Sequence, residues 1–172
     1  MEITSSISVS IFPSFLENFA LSKLNSALYL STTIDDFRNF FRTDKEETSF
    51  NIKSVFEKVF KLTDAQFKNN GILFVKNIEE FELFGFENEF IQALINILNN
   101  ARDELIKLPN DEEKFIFIDA FKSGTNKLEI TIKDNAGGIK EENLEKVFEP
   151  YFSTKHKAQG TGIGLYMTEE II

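Results

Sequence analysis

The chain has no cysteine, no tryptophan and a single histidine, His156, in 172 residues. The lack of cysteine excludes disulfides and thiolate metal sites, and it agrees with a reducing compartment. Without tryptophan, aromatic volume falls to phenylalanine, whose 20 copies make it the main core filler. No apolar run is long enough to span a bilayer. No basic leader precedes the apolar residues of the N-terminus, which argues against a signal peptide. No internal repeat is visible. Positive charge is also short, with 19 Lys and Arg against 28 Asp and Glu and a formal net charge of −9. That balance argues against a general nucleic-acid binder. Any phosphate site must therefore be local, made from backbone N–H groups and a few basic side chains. What remains is 42% hydrophobic and 27% charged, the composition of a globular chain. Its length allows one core-bearing domain plus an appendage.

Residues 1–12 are rich in Ser and Ile and fit no element well. Residues 14–42 have helical spacing, entered at Pro13, with Ala27, Leu30, Ile34, Phe37 and Phe41 at alternating steps of three and four. That is the spacing of a helix–helix seam. The polar run 43–49 reads as a hinge. Asn51 is placed to cap a second helix whose apolar side carries Ile52, Val55, Phe56, Val59, Phe60 and Leu62, and Asn70-Gly71 would stop it. Strands are expected at 71–77 and 82–84, a long helix over 87–108, and a hairpin of 115–121 and 127–133 around a Ser123-Gly124 turn. A short helix is expected over 141–148, and another from Ile163 onward. This order predicts an α+β, two-layer sandwich with helices on one sheet face.

Three separated segments carry the chemistry. The first is Asn96-Ile97-Leu98-Asn99-Asn100-Ala101. On the long helix Asn96, Asn100 and Asp103 share one face, while Ile91, Leu94, Leu98, Ala101 and Leu105 share the opposite one. Asparagine is a middling helix former, so its repetition calls for a solvated face or for Mg²⁺ ligation by amide oxygen. The second is Asp134-Asn135-Ala136-Gly137-Gly138-Ile139. It reads either as a turn or as a semi-buried carboxylate that accepts from the exocyclic amine of adenine, with glycines that let backbone approach the base. The third is Gly160-Thr161-Gly162-Ile163-Gly164-Leu165, a glycine run opening a helix, which suits phosphate binding by backbone N–H groups. A Rossmann reading fails because no strand precedes it, and no G-x-x-x-x-G-K-[ST] is present.

Taken in order, and with Val147-Phe148-Glu149-Pro150-Tyr151-Phe152-Ser153-Thr154-Lys155 between the last two, these segments resemble the ATP-binding domain of sensor histidine kinases of two-component systems. That domain belongs to the superfamily shared with DNA gyrase, the related heat-shock chaperone and mismatch-repair ATPases, whose fold is of Bergerat type. The resemblance covers about Phe50 to Ile172. It implies ATP and Mg²⁺ as cofactors, with Asn100 the metal ligand and Asn96 a second candidate for both metal and catalysis. Asn96 stands where hydrolytic relatives have Glu, and Asn cannot act as a general base, so the resemblance implies transfer rather than hydrolysis. Asp103, Asp134, Ala136, Gly138 and Ile139 would line the nucleotide. Ala136 stands where the family commonly has Gly. Phe148, Thr154 and Lys155, with Phe152, would form the lid, and Gly160, Thr161, Gly162, Ile163, Gly164 and Leu165 the phosphate loop. Arg102 and Lys155 are candidates to neutralise phosphate charge.

The same resemblance implies two parts. Residues 1–48 would hold the second helix of a dimerisation and phosphotransfer region, and residues 49–172 the ATPase-like domain. The family's phosphoacceptor histidine, expected before the seam helix, has no counterpart, since His156 falls in the lid. The family's closing strands are also expected beyond Ile172, so the sheet is expected to lack edge strands and to expose apolar surface. The implied partners are a second copy or a full-length kinase through the 27–41 seam, and a response regulator downstream, with a cytoplasmic location. The competing expectations are a non-catalytic dimerisation fragment and a serine kinase of the anti-sigma-factor type.

Overall fold

The computed structural model describes residues 46–124, 127–155 and 160–172. The 27–41 seam and His156 lie outside the described residues. The first helix, α1 (Ile52–Asn69), starts as expected. Asn51 Oδ1 accepts from Lys53 N at 3.0 Å and Ser54 N at 3.4 Å. Asn51 Nδ2 also donates to Glu82 Oε1 at 3.1 Å, so one side chain caps the helix and ties it to a neighbouring strand. Ile52, Val55, Phe56, Val59 and Phe67 are buried. Leu62 departs from expectation and is 68% exposed. Thr63, four residues beyond Val59, holds the centre of the apolar stripe, with its hydroxyl donating to Val59 O at 2.8 Å, and Leu62 falls at the stripe's edge. Gly71, at φ +67°, ends the helix, and its N–H reaches Lys68 O at 3.0 Å.

The end of the polar run read as a hinge, Thr48 and Ser49, opens β1 (Thr48–Asn51), which pairs antiparallel with β3 (Glu82–Gly85), Phe50 facing Leu83. Four residues with one buried side chain give too short an alternation to stand out in sequence. A second sheet has the order β2-β4-β5, formed by β2 (Ile72–Ile78), β4 (Lys114–Ser123) and β5 (Lys127–Asp134). β2 and β4 are parallel, and β4 and β5 form the expected antiparallel hairpin. The parallel pair requires a long crossover, supplied by β3 and α2 (Glu87–Leu105). Among the described residues β5 has one strand neighbour.

Alternation along the sheet gives it two faces. Ile72, Ile116, Ile118 and Ala120 are buried against α1 and α2, joined by Phe74, Ile130 and Ile132. Leu73, Val75 and Phe117 point the other way and are exposed. Helices therefore cover one sheet face, the α+β sandwich expected. α2 ends three residues early. Lys107 and Leu108 make tight i−3 bonds to Glu104 and Leu105, and Pro109 disfavours a helical Leu108. The short helix α3 (Glu141–Leu144) also stops before the expected Phe148. It buries no residue, and a short helix without packing has little to sustain it. α4 (Gly164–Ile171) closes the described chain and buries Met167 and Thr168. Among the described residues no helix is long and apolar enough to cross a membrane.

Candidate nucleotide-binding site

α2 is the spine of the site. Its buried face, Ala93, Leu94, Leu98, Ala101 and Leu105, fixes the helix on the core, and Ala93 was absent from the expected stripe. The opposite face then presents Asn96, Asn100 and Asp103 in line. Asn96 Nδ2 donates to Gly164 O at 3.3 Å, and its Oδ1 accepts from Gln92 Nε2 at 3.2 Å. Thr168 Oγ1 donates to the same Gly164 carbonyl at 2.9 Å. The asparagine helix and the glycine loop, 68 residues apart, are thus bonded to each other.

One turn further on, two oxygens converge on a positive charge. Lys155 Nζ lies 2.7 Å from Asp103 Oδ2 and 3.3 Å from Asn100 Oδ1. Arg102 holds the other Asp103 oxygen, with Nη2 at 2.6 Å and Nε at 3.0 Å. Its Nη1 donates to Gln66 Oε1 of α1 at 2.6 Å and to Asn99 Oδ1 at 3.0 Å. Arg102 is therefore engaged by Asp103 and Asn99 of its own helix and by Gln66 of α1. Burial pushes the Asp103 carboxyl up. Hydrogen bonds from Lys155 and then Arg102, together with their charges, outweigh that and hold it below the usual aspartate range.

The glycine loop is shaped by close approach. Gly162 has φ +67°, and a Cβ there would stand 2.4 Å from the Tyr151 carbonyl carbon. Tyr151 N donates to Gly162 O at 2.9 Å, while Tyr151 itself takes φ +67°, a conformation disfavoured for a bulky residue. A Cβ on Gly160 would meet Ser153 Oγ at 2.6 Å. Ile163 N is satisfied by Thr161 Oγ1 at 3.3 Å, and no side chain caps α4. Gly160 to Leu165 are all half-buried. Phe152 is half-buried, while Phe148 and Thr154 are exposed.

Asp134 ends β5 opposite Ile116, whose side chain is wholly buried, so both lie on the helix-covered face of the sheet. The carboxylate is exposed rather than semi-buried, and its Oδ1 accepts from Ala136 N at 2.9 Å. Turn and base-reading expectations share this geometry, because the Asx bond leaves the second oxygen open. Gly137 and Gly138 take φ +96° and +79° with nothing within 4 Å of an added Cβ. Ala136 packs on the core, and Ile139 is exposed. Asn135 was missed as a positioning residue. It accepts from Phe115 N and donates to Glu113 O, both at 2.8 Å, and so clamps the turn to the start of β4. Gln66 was also missed, and nothing in sequence pairs an α1 residue with Arg102. Gln92, one turn before Asn96 on the polar stripe, had a readable signal. Among the described residues no hydrogen bond joins the Asp134 turn to α2 or the glycine loop.

Residues 85–172 match the model of the histidine kinase-, DNA gyrase B- and HSP90-like ATPases. The chain belongs to that family. It is 34% identical over 89 residues to the two-component sensor PprA of Pseudomonas aeruginosa, covering 51% of this chain and 10% of that protein. It is 32% identical over 124 residues to sporulation kinase A of Bacillus subtilis, covering 71% of this chain and 19% of that one. The chain thus spans a fifth or less of these relatives' length. Among solved structures, the nucleotide-free catalytic domain of the histidine kinase ThkA superposes with a TM-score of 0.61 at 28% identity. That match covers 74% of this chain and 81% of the ThkA domain. The family match over residues 85–172 includes the Asn helix, the Asp134 turn and the glycine loop.

Proposed function

We propose that the chain is the ATP-binding catalytic module of a sensor histidine kinase, positioning the γ-phosphoryl of Mg·ATP for transfer to a histidine outside these 172 residues. The observation that carries this reading is the convergence of Asn100 and Asp103 oxygens on the Lys155 ammonium, beside the glycine loop that Asn96 holds. The Asn100 oxygen, with Asn96 as the second candidate, fits Mg²⁺, a hard ion that takes one or two protein oxygens and keeps the rest of its shell for water and phosphate. When bound, the metal would neutralise charge on the phosphates.

The chain's own residues bind and orient. Asp134, with Ala136, Gly138 and Ile139, takes the adenine edge. Gly160, Thr161, Gly162, Ile163, Gly164 and Leu165 offer backbone to the phosphates, with α4's uncapped N-terminus behind them. Phe148, Thr154 and Lys155 cover the nucleotide. Asn96 has no basicity to activate water, so transfer is favoured over hydrolysis. Dimerisation through the 27–41 seam, the division into parts at 1–48 and 49–172, and a response regulator as downstream partner complete the reading.

Isothermal calorimetry tests it. The wild-type chain binds ATP more tightly with Mg²⁺ than with EDTA. Asn100→Ala removes the Mg²⁺ dependence, and Asp134→Ala removes the preference for ATP over GTP. Unchanged affinity in both variants would overturn the assignment.

A further inference from the structure

The Lys155 ammonium stands where a positive charge is wanted, and it does so from inside the chain. It contacts Asp103 Oδ2 at 2.7 Å and Asn100 Oδ1 at 3.3 Å. Both side chains of the ion pair are largely shielded, 18% exposed for Lys155 and 25% for Asp103. This sets it apart from the solvent-exposed pairs elsewhere on the surface, such as Lys53–Glu80 at 50% and 70%. Shielding matters because exposed pairs contribute little, whereas a desolvated pair resists screening.

Lys155 is also mechanically coupled to the loop. Its N–H donates to Ser153 Oγ at 3.1 Å, and its Cβ would lie 3.2 Å from a Cβ on Gly160. Ser153 follows Tyr151 and Phe152, and Tyr151 N binds Gly162 O at 2.9 Å. A tether from Lys155 to α2 therefore holds residues 151–155 and the glycine run together. The acceptor is rigid, since Asp103 is fixed from its other side by Arg102, which is fixed in turn to Gln66 of α1.

Resting on the nucleotide reading above, we propose that Lys155 is an internal counter-ion that latches the 151–155 segment onto Asn100 and Asp103 in the nucleotide-free chain, and that Mg²⁺ arriving with nucleotide evicts it. Eviction follows from charge. An ammonium and a divalent ion cannot share the Asn100 oxygen, because like charges a few ångströms apart in a shielded site repel strongly. Asp103 does not become an unpaired buried charge when Lys155 leaves, because Arg102 keeps its other oxygen. Asp103 is thus a positioning residue for the cover segment.

The test is amide hydrogen exchange at Tyr151, whose N–H bridges to Gly162. In the nucleotide-free chain Lys155→Met and Asp103→Asn each raise its exchange about tenfold. The double variant exchanges no faster than either single one, the signature of a direct pair. The conservative Lys155→Arg, which keeps the charge facing Asp103, retains part of the protection, which separates loss of the pair from general loosening. Saturating Mg·ADP abolishes the coupling, and ADP with EDTA leaves it in place. Equal exchange in wild type and both single variants, or additive effects, overturns the latch. Coupling that survives Mg·ADP overturns the eviction. If calorimetry finds no Mg·ADP binding to the wild type, the nucleotide reading fails by that measurement, and the nucleotide-free coupling still decides the latch.

Discussion

Asp103 carries two cations on one carboxylate, and this gives it a pH signature. Its folded carboxyl sits below the usual aspartate value of about 4, so its contribution to stability is complete above that value and lost as pH falls through the lowered one. The wild-type chain is expected to lose stability more steeply than Asp103→Asn as pH falls below about 4, and the two to run parallel above about pH 5. Urea midpoints across that range check it, and parallel curves throughout would contradict the ion-pair assignment. Gly162 is the second residue whose identity the geometry dictates. A Cβ at φ +67° is strained, and the atoms it meets are backbone, 2.4 Å away at Tyr151. Gly162→Ala is expected to cost more than about 1 kcal/mol and to weaken nucleotide binding, read by thermal melting and calorimetry on the same sample. Gly137→Ala, with the same sign of φ but open space around it, should cost only the conformational strain.

At the level of elements, α1 depends on one polar side chain. Asn51 caps it and also bonds Glu82 of β3, while Ser49 Oγ donates to the other Glu82 oxygen at 3.1 Å. Asn51→Ala is expected to lower unfolding free energy by about 1–2 kcal/mol, and Asn51→Ser to recover the capping part but not the tie to β3. Chemical denaturation of the three proteins separates the two. That cap was legible in sequence because it is local, Asn followed directly by apolar helical spacing. So were the 115–133 hairpin and the polar stripe of α2, which each repeat a period over several turns or pairs. β1 was not, because its pairing with β3 spans more than thirty residues and its alternation is only four residues long. The early end of α3 depends on what the helix buries, which periodicity does not report, whereas that of α2 follows from the tight bonds that precede Pro109. Within the site, Asn96, Asn100 and the glycines carried their signal in chain order. The Arg102–Gln66 contact did not, since it exists only once α1 and α2 are packed.

For the molecule as a whole, the sheet divides the chain's apolar content between a packed face and an open one. Phe56, wholly buried, stacks on Phe60 at 5.8 Å between ring centroids, and Phe60 and Phe67 both meet Phe74 of β2 at 5.2 and 5.0 Å. This aromatic chain couples α1 to the sheet, and the sheet carries Asp134 while α1 braces Arg102. Folding and site assembly should therefore be one cooperative event. Phe56→Ala is expected to remove about 3–5 kcal/mol, a large part of the roughly 5–15 kcal/mol that holds a domain of this kind. Phe84→Ser, at a residue 73% exposed, should shift stability by no more than about 0.5 kcal/mol. The informative measurement is unfolding followed by two probes, far-ultraviolet dichroism for the helices and hydrogen exchange at Tyr151 for the site. In Phe56→Ala the two transitions should move together to lower denaturant. If the Tyr151 transition stays where it is in the wild type while the helices melt early, the site is held by its own local bonds, and the aromatic chain does not couple it to the core.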